Sequence, residues 1–281
     1  MTDVDHAPHP PQPFPGVVHE QTVHAVGGLG AAPQLEADRL HLRHVPLILM
    51  YHAVVTVARD PNKICVTPSR FAEQMAWLER HGLRGVGIGM LADAMRTGRQ
   101  HGLVGITFDD GYVNVIEGAL PVLRSHGFGA TVFVVTGRLG GTNDWEDGSA
   151  PSWPLVSARQ VETLAAAGIE IGSHGVNHVP LAGARPAELS SEVGASRAQL
   201  AAIIGTEIRG FAYPYGSMDA RARQAVRDAG YEYACAVDVK ASDKGLMALP
   251  RVYIGQQDGV ARMAVKRHLY RGYIAIKGRR S

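Results

Sequence analysis

Five helical stretches of this chain stop at a glycine, and four of those glycines lead into a short apolar run. The stops are Gly82, Gly127, Gly168, Gly205 and Gly230, and the runs after the last four are Thr131–Val135, Ile169–Ser173, Ile208–Tyr213 and Tyr231–Val237. A helix that ends on glycine and feeds a fully apolar strand marks a βα unit, whose strands are buried on both faces and lie parallel. Val45–Tyr51 and Leu103–Phe108 are further runs of this kind, and Leu249–Ile254 reads as a last strand before a helix over 259–268. Thr67 followed by Pro68 opens one helix and Ser157 another, running to Ala167. Helices are expected over 113–126, 186–204 and 219–229. About seven such units favour an α/β barrel over an open sheet.

The rest of the chain narrows the field. Residues 1–40 carry clustered prolines and the patch Gly27-Gly28-Leu29-Gly30 with no helical or strand period, so a flexible arm outside the fold is expected. That patch follows no strand and opens no helix, which excludes a dinucleotide fingerprint. No apolar run approaches the ~20 residues of a bilayer span. The polar start Met1-Thr2-Asp3 does not resemble a secretory signal, so a cytoplasmic location is expected. Two cysteines, Cys65 and Cys235, exclude a disulfide framework and a thiolate zinc site. Six basic residues and no acidic one lie between Lys266 and Ser281, while the remainder is net acidic. A nucleic-acid partner is not expected, because it would call for a basic face over the fold itself. The segment 256–281 is expected to be a helix with a solvated basic tail; weak contact with an anionic membrane surface is the alternative.

Function in a parallel βα barrel gathers where strands end and loops begin. Those positions hold His52, Asp109-Asp110-Gly111-Tyr112, His174-Gly175-Val176-Asn177-His178, Pro214-Tyr215-Gly216 and Asp238. Neither the histidine pair nor the adjacent acids mean much alone, since 13 histidines make an i,i+4 pair common. Together they suit a divalent ion: two imidazoles and one carboxylate leave positions open for water and substrate. The expected ligands are Asp110, His174 and His178. Adjacent carboxylates need not point the same way, so one can ligate while its neighbour acts as a base.

Thr107-Phe108-Asp109-Asp110-Gly111-Tyr112, Ser173-His174-x-x-x-His178 and Phe211-Ala212-Tyr213-Pro214-Tyr215-Gly216 resemble, in order, three signatures of the polysaccharide deacetylases, the NodB-homology or carbohydrate esterase family 4 fold. Leu49-Met50-Tyr51-His52 is similar to an opening strand in one branch of that family. The resemblance covers residues 45–255. It implies a distorted (β/α)7 barrel and one divalent metal ion, zinc first, with cobalt, nickel, manganese and iron as alternatives. The implied reaction is hydrolysis of an N-acetyl group from an amino sugar. By position, Asp109 is the implied base, Asp110, His174 and His178 the ligands, and Tyr215 the donor of a backbone N–H to the oxyanion.

The sequence also departs from the family pattern. Ala212 stands where the third signature often has arginine, and the late Leu-x-His that supplies the acid is absent, with Leu249-Pro250-Arg251 roughly in its place. His52 is the expected acid, because it ends a strand at the same rim; the alternative is that it only braces the loop beneath the metal. Arg251 is expected either beside Asp109 or as a rim charge facing substrate. Tyr112 and Pro214 are expected as pocket walls. Trp145 and Trp153, in the loop over 137–154, are expected to stack on sugar or to pack under the loop. The expected partner is an N-acetylated carbohydrate: a polysaccharide precursor, a lipid- or nucleotide-linked sugar, or a small glycoside. An O-acetyl esterase, another amidase and a carbohydrate-binding barrel without turnover remain as rivals.

Overall fold

Where the sequence marks a helix start, the chain takes it. Thr67 Oγ1 accepts the Arg70 N–H at 3.2 Å ahead of the Pro68–Arg80 helix. Ser157 and Gln160 form a reciprocal capping box ahead of the Ala158–Ala166 helix. Asp219 accepts the Ala222 N–H at 2.8 Å ahead of the Ala220–Asp228 helix. The five stopping glycines have φ between 61° and 86°, the left-handed region that a side chain would resist. The computed structural model describes residues 45–145, 152–237, 239 and 245–277. The 1–40 arm, Asp238 and the end of the basic tail lie outside the described residues.

In chain order the strands are β1 (Ile48–Tyr51), β2 (Ala53–Val54), β3 (Cys65–Val66), β4 (Arg84–Val86), β5 (Leu103–Phe108), β6 (Thr131–Val134), β7 (Glu170–Ser173), β8 (Gly210–Ala212), β9 (Tyr233–Ala236), β10 (Leu249–Pro250) and β11 (Val252–Tyr253). The main sheet is parallel, in the order β10-β9-β8-β7-β6-β5-β1-β11, with β4 beside the first half of β5. Arg251 alone separates β10 from β11 in the chain, so the two ends of that order meet through one residue and the sheet closes. With β10 and β11 counted as one stave, this is the distorted (β/α)7 barrel.

Strand alternation sorts the core into two layers. Ile48, Phe133, Ala212, Tyr233, Cys235 and Leu249 fill the barrel, packed with Ile88, Leu91 and Met95. Leu49, Val104, Ile106, Phe108, Val132, Ile171 and Phe211 pack outward with Phe71, Leu78, Leu123, Leu164 and Leu200 of the surrounding helices. On β5 the residues after Gly105 on the inward parity are Thr107 and Asp109; on β7 the inward parity runs Glu170, Gly172, His174. The pleat that buries the core therefore aims Asp109 and His174 over the barrel mouth.

Several expectations change. The segments 113–126 and 186–204 are not unbroken: each contains a π-helical turn, Val115–Ala119 and Ser190–Ala195. In the first, Gly118 backs onto the Val54 carbonyl oxygen so closely that a Cβ would overlap it. Leu249–Ile254 is two short strands rather than one, because its halves pair with opposite ends of the sheet. The sequence pattern gave no sign of β4 or of the Ile88–Arg96 helix, which plugs the floor, the end of the barrel where strands begin. The last helix runs over Val260–Lys277, with Met263 in the outer core and Lys266 bonded to Asp258 at 2.7 Å. Among the described residues, no helix is long and apolar enough to cross a membrane.

Candidate active site

Asp109 and Asp110 share a strand end but not a direction. Asp109 stays in register, its N–H bonded to the Tyr51 carbonyl at 3.0 Å. At Asp110 the chain turns left-handed, φ 71°, and Gly111 follows at 75°. That turn swings Asp110 away from its neighbour and toward two histidines. His174 Nε2 lies 3.4 Å and His178 Nε2 3.3 Å from Asp110 Oδ1, and all three side chains are buried. Their candidate ligand atoms lie within 4.8 Å of one another. Among the described residues, Asp110 Oδ1 has no hydrogen-bond donor. A buried carboxylate oxygen facing two imidazole nitrogens without a hydrogen bond fits a cation between them, since an orphaned charged acceptor is otherwise costly.

The histidines are oriented from behind. His174 Nδ1 is 2.8 Å from the Ala212 carbonyl, which can only accept, so the proton sits on Nδ1 and the Nε2 lone pair faces the cluster. Trp145 stacks on the His178 ring at 4.4 Å and 30°, and Tyr215 meets it edge-on at 4.5 Å. Burial pushes Asp110 up, but the facing His174 and His178 outweigh it and hold the carboxyl well below the usual range. Burial pushes His174 down, yet Asp109 and Asp110 leave it raised; for His178 burial wins and the ring is lowered.

Asp109 has a different environment. Arg251 grips it with both terminal nitrogens, Nη1 to Oδ1 at 2.6 Å and Nη2 to Oδ2 at 2.7 Å. Nη1 also donates to Thr107 Oγ1 at 3.1 Å, and that hydroxyl donates to the Leu49 carbonyl at 2.9 Å. Burial raises Asp109, but Arg251, then His174, outweighs it and keeps the carboxylate ionised. His52 follows β1, half-buried, and helps lower both aspartates; its Nδ1 is buried with no hydrogen-bond partner.

One open choice is decided and two expected wall residues are corrected. Arg251 is not a substrate-facing rim charge: its side chain is 1% exposed and committed to Asp109. Ala212 has no side chain to offer Asp109, and Arg251 reaches it from the barrel's closing seam instead. Tyr112 is fully buried, edge-on to Trp153 at 5.5 Å, so it supports the loop rather than lining the pocket. Pro214 is buried too; it starts the short turn Pro214–Gly216 that carries Tyr215 at φ 57°. Tyr215 itself is 59% exposed. Glu192, a buried carboxylate bonded to the loop between the two histidines, is a further residue of the site that the sequence pattern does not mark. Its only signal is tertiary.

Comparison with known proteins agrees with this geometry. The family described as "Polysaccharide deacetylase" matches residues 97–234, which include Asp109, Asp110, both histidines and Tyr215. YxkH of Bacillus subtilis, which carries the family's name, is 27% identical over 213 residues, covering 74% of this chain and 70% of that protein. The poly-beta-1,6-N-acetyl-D-glucosamine N-deacetylase of Staphylococcus aureus is 24% identical over 194 residues, covering 66% of this chain and 65% of its own length. The Streptococcus pyogenes deacetylase PplD, solved with acetate, superposes with a TM-score of 0.67 at 23% identity, over 78% of this chain and 96% of that one. Fold, signature order and relatives coincide, and the chain belongs to the polysaccharide deacetylase family of hydrolases.

Proposed function

We propose that this chain is a metal-dependent N-deacetylase, removing the acetyl group from N-acetylated amino-sugar units of a polysaccharide or its precursor. The observation that carries this reading is the buried convergence of Asp110, His174 and His178 beside a second carboxylate, Asp109, held apart from them by Arg251. Asp110, His174 and His178 would hold one divalent ion, zinc being the first choice for two nitrogens and one oxygen. Such an ion would acidify water and polarise the acetyl carbonyl.

The chain's own groups supply the rest. Asp109 accepts the proton of the attacking water. Arg251 both orients it and keeps it ionised, at the expense of some basicity. The Tyr215 backbone N–H, in its left-handed turn, donates to the oxygen that gains charge when water adds to the carbonyl carbon. The C–N bond then breaks, acetate leaves, and the amine takes a proton, which we assign to His52. Trp145 and the exposed Tyr215 ring, both against His178, offer apolar faces to a sugar ring.

The test is acetyl loss by mass spectrometry across N-acetylglucosamine oligomers, lipid- and nucleotide-linked sugars and an aryl acetate, with metal-free and zinc-loaded protein. Zinc-dependent loss from an N-acetyl sugar is expected, and which member reacts fastest separates polymer from precursor. Turnover of the aryl acetate alone would replace the reading with an esterase. His52→Ala is expected to slow amide cleavage far more than aryl ester cleavage, whose leaving group needs no proton. Equal losses on both would remove His52 as the acid.

A further inference from the structure

Between His174 and His178 the chain is a loop, not a helix, so their four-residue spacing does not by itself bring the two Nε2 atoms together. Something must fix the peptides of Gly175, Val176 and Asn177. One edge of that loop is bonded to the turn after β6: Thr136 N–H to the Gly175 carbonyl at 3.0 Å, and Gly137 N–H to the Val176 carbonyl at 2.8 Å. On the other edge, two successive peptides are bonded to one side chain. Glu192 Oε2 accepts the Val176 N–H at 2.8 Å and the Asn177 N–H at 2.9 Å, and Oε1 accepts Asn177 Nδ2 at 2.7 Å. Gly175, φ 81°, admits the carboxylate: a Cβ there would stand 3.0 Å from Oε2.

Glu192 is 3% exposed and lies in the π-helical turn Ser190–Ala195, an irregularity that recurs near functional sites. The same segment also reaches the near side of His174. Gly175 N–H donates to Ser173 Oγ at 3.2 Å, Ser173 Oγ donates to Ser196 Oγ at 2.7 Å, and Ser196 Oγ donates to the Glu192 carbonyl at 2.7 Å. Residue 192 thus terminates two hydrogen-bond paths, one from each side of the loop, and both end on peptides next to a ligand. His178, immediately after the clamped peptides, is left-handed at φ 59°. That region is uncommon for residues other than glycine and carries a cost, though histidine enters it more readily than most.

We propose that Glu192 is a positioning residue for the centre: its carboxylate holds the loop in the one conformation that aims both imidazoles at Asp110, and so sets the affinity for the divalent ion. This rests on the reading of Asp110, His174 and His178 as ligands. The carboxylate is aimed at backbone amides rather than at the cluster, so its role is support.

The experiment is titration of the metal-free protein with zinc against a competing chelator, with melting temperature recorded for each variant. Glu192→Ala is expected to weaken zinc binding by about 10–100-fold, the usual reach of groups behind a metal ligand. Glu192→Gln is expected to stay within about threefold, because its amide oxygen keeps both backbone bonds and the Asn177 amide can turn to accept its N–H. Leu123→Ala, which opens a cavity in the outer core, is expected to lower the melting temperature and leave affinity unchanged. Wild-type affinity in a folded Glu192→Ala overturns the proposal, and so does an equal loss in Leu123→Ala. If Glu192→Ala does not fold, Asn177→Ala at the exposed end of the clamp decides: a loss of about 3–10-fold supports the proposal and no loss overturns it. A wild type that binds no zinc defeats the ligand reading and this inference together, whereas binding that Glu192 variants leave untouched defeats this inference alone.

Discussion

The two ends of the barrel are built on opposite principles. At the floor, the polar groups around the plug helix are matched. Glu170 accepts from the Gly89 N–H at 2.8 Å, the Thr131 hydroxyl at 2.6 Å and the Tyr233 hydroxyl at 2.8 Å. Arg209 binds Asp93 and Glu232 on the rim of the plug. At the mouth, Asp110 Oδ1, His52 Nδ1, His178 Nδ1 and Arg251 Nε lack partners, and Asp110, His178 and Tyr215 sit at positive φ. Each such residue costs about 1–3 kcal/mol. The mouth leaves buried polar atoms unsatisfied and backbone strained, as suits the metal and substrate site proposed there; the floor holds the staves in place. Substitutions at the mouth should therefore be read in binding and turnover, and those at the floor in stability.

The largest expected effects break the symmetry of the aspartate pair. Asp110→Asn is expected to lose the ion and activity together, whereas Asp109→Asn should keep the ion and lose about 10²–10⁴ in kcat. Metal analysis beside a deacetylation assay checks both, and equal metal contents would void the division of roles. Arg251 is the mouth's exception in part: its Nε has no partner among the described residues, but its two terminal nitrogens and both Asp109 oxygens bond one another in a buried pair. Arg251→Met strands a buried carboxylate and is expected to cost about 3–5 kcal/mol in urea unfolding, part of it recovered on adding Asp109→Asn. An additive double variant would mean that the two groups are not coupled.

The same contrast explains what the sequence could tell. Local chemistry was legible: Thr67-Pro68, the Ser157/Gln160 box and the glycines at 82, 127, 168, 205 and 230 act through neighbours in the chain. The cluster of Asp110, His174 and His178 was legible because its members lie at or just beyond strand ends. What was hidden depends on distant partners. The Ile88–Arg96 helix has Gly87 at its cap position and no local side chain to bond it; Glu170, from β7, supplies the acceptor for Gly89 instead. The strand around Arg251 splits because its halves pair with opposite ends of the sheet, which no periodicity encodes. Tyr112 and Pro214 lie beside motif residues and yet face inward, and Glu192 lies in a helical pattern that gives no hint of the loop it holds.

At the floor, Glu170→Ala is expected to leave the Gly89 N–H and two hydroxyls without their acceptor. With unmatched groups costing about 1–3 kcal/mol each and some relaxation, a loss of roughly 2–4 kcal/mol follows. Zinc stoichiometry is expected to stay at the wild-type value. Denaturant titration and metal analysis of one preparation check both, and a lost ion would show that floor and mouth are not separate.

The smallest effect tests whether the ion pairs outside the plug add anything. Hydrogen bonds from Arg209 lower both Asp93 and Glu232, despite an opposing contribution from their partial burial. A carboxylate whose folded value is depressed contributes stability that is present above its unfolded value, near 4, and lost as the pH falls through the folded one. Arg209→Met should therefore cost stability at pH 7, and the difference from wild type should shrink as the pH falls below about 4. The carboxylates are 54% and 38% exposed, so solvent screens the pairs and the cost should be under about 1 kcal/mol. Added salt should shrink it as well. The comparison calls for metal-free protein, since protonation of His174 and His178 would otherwise release the ion in the same titration and mix the two ends. A difference that persists at pH 3.5 and in 1 M salt would assign the role of Arg209 to packing of its apolar stem against the plug, leaving the floor held by Glu170 and its three donors.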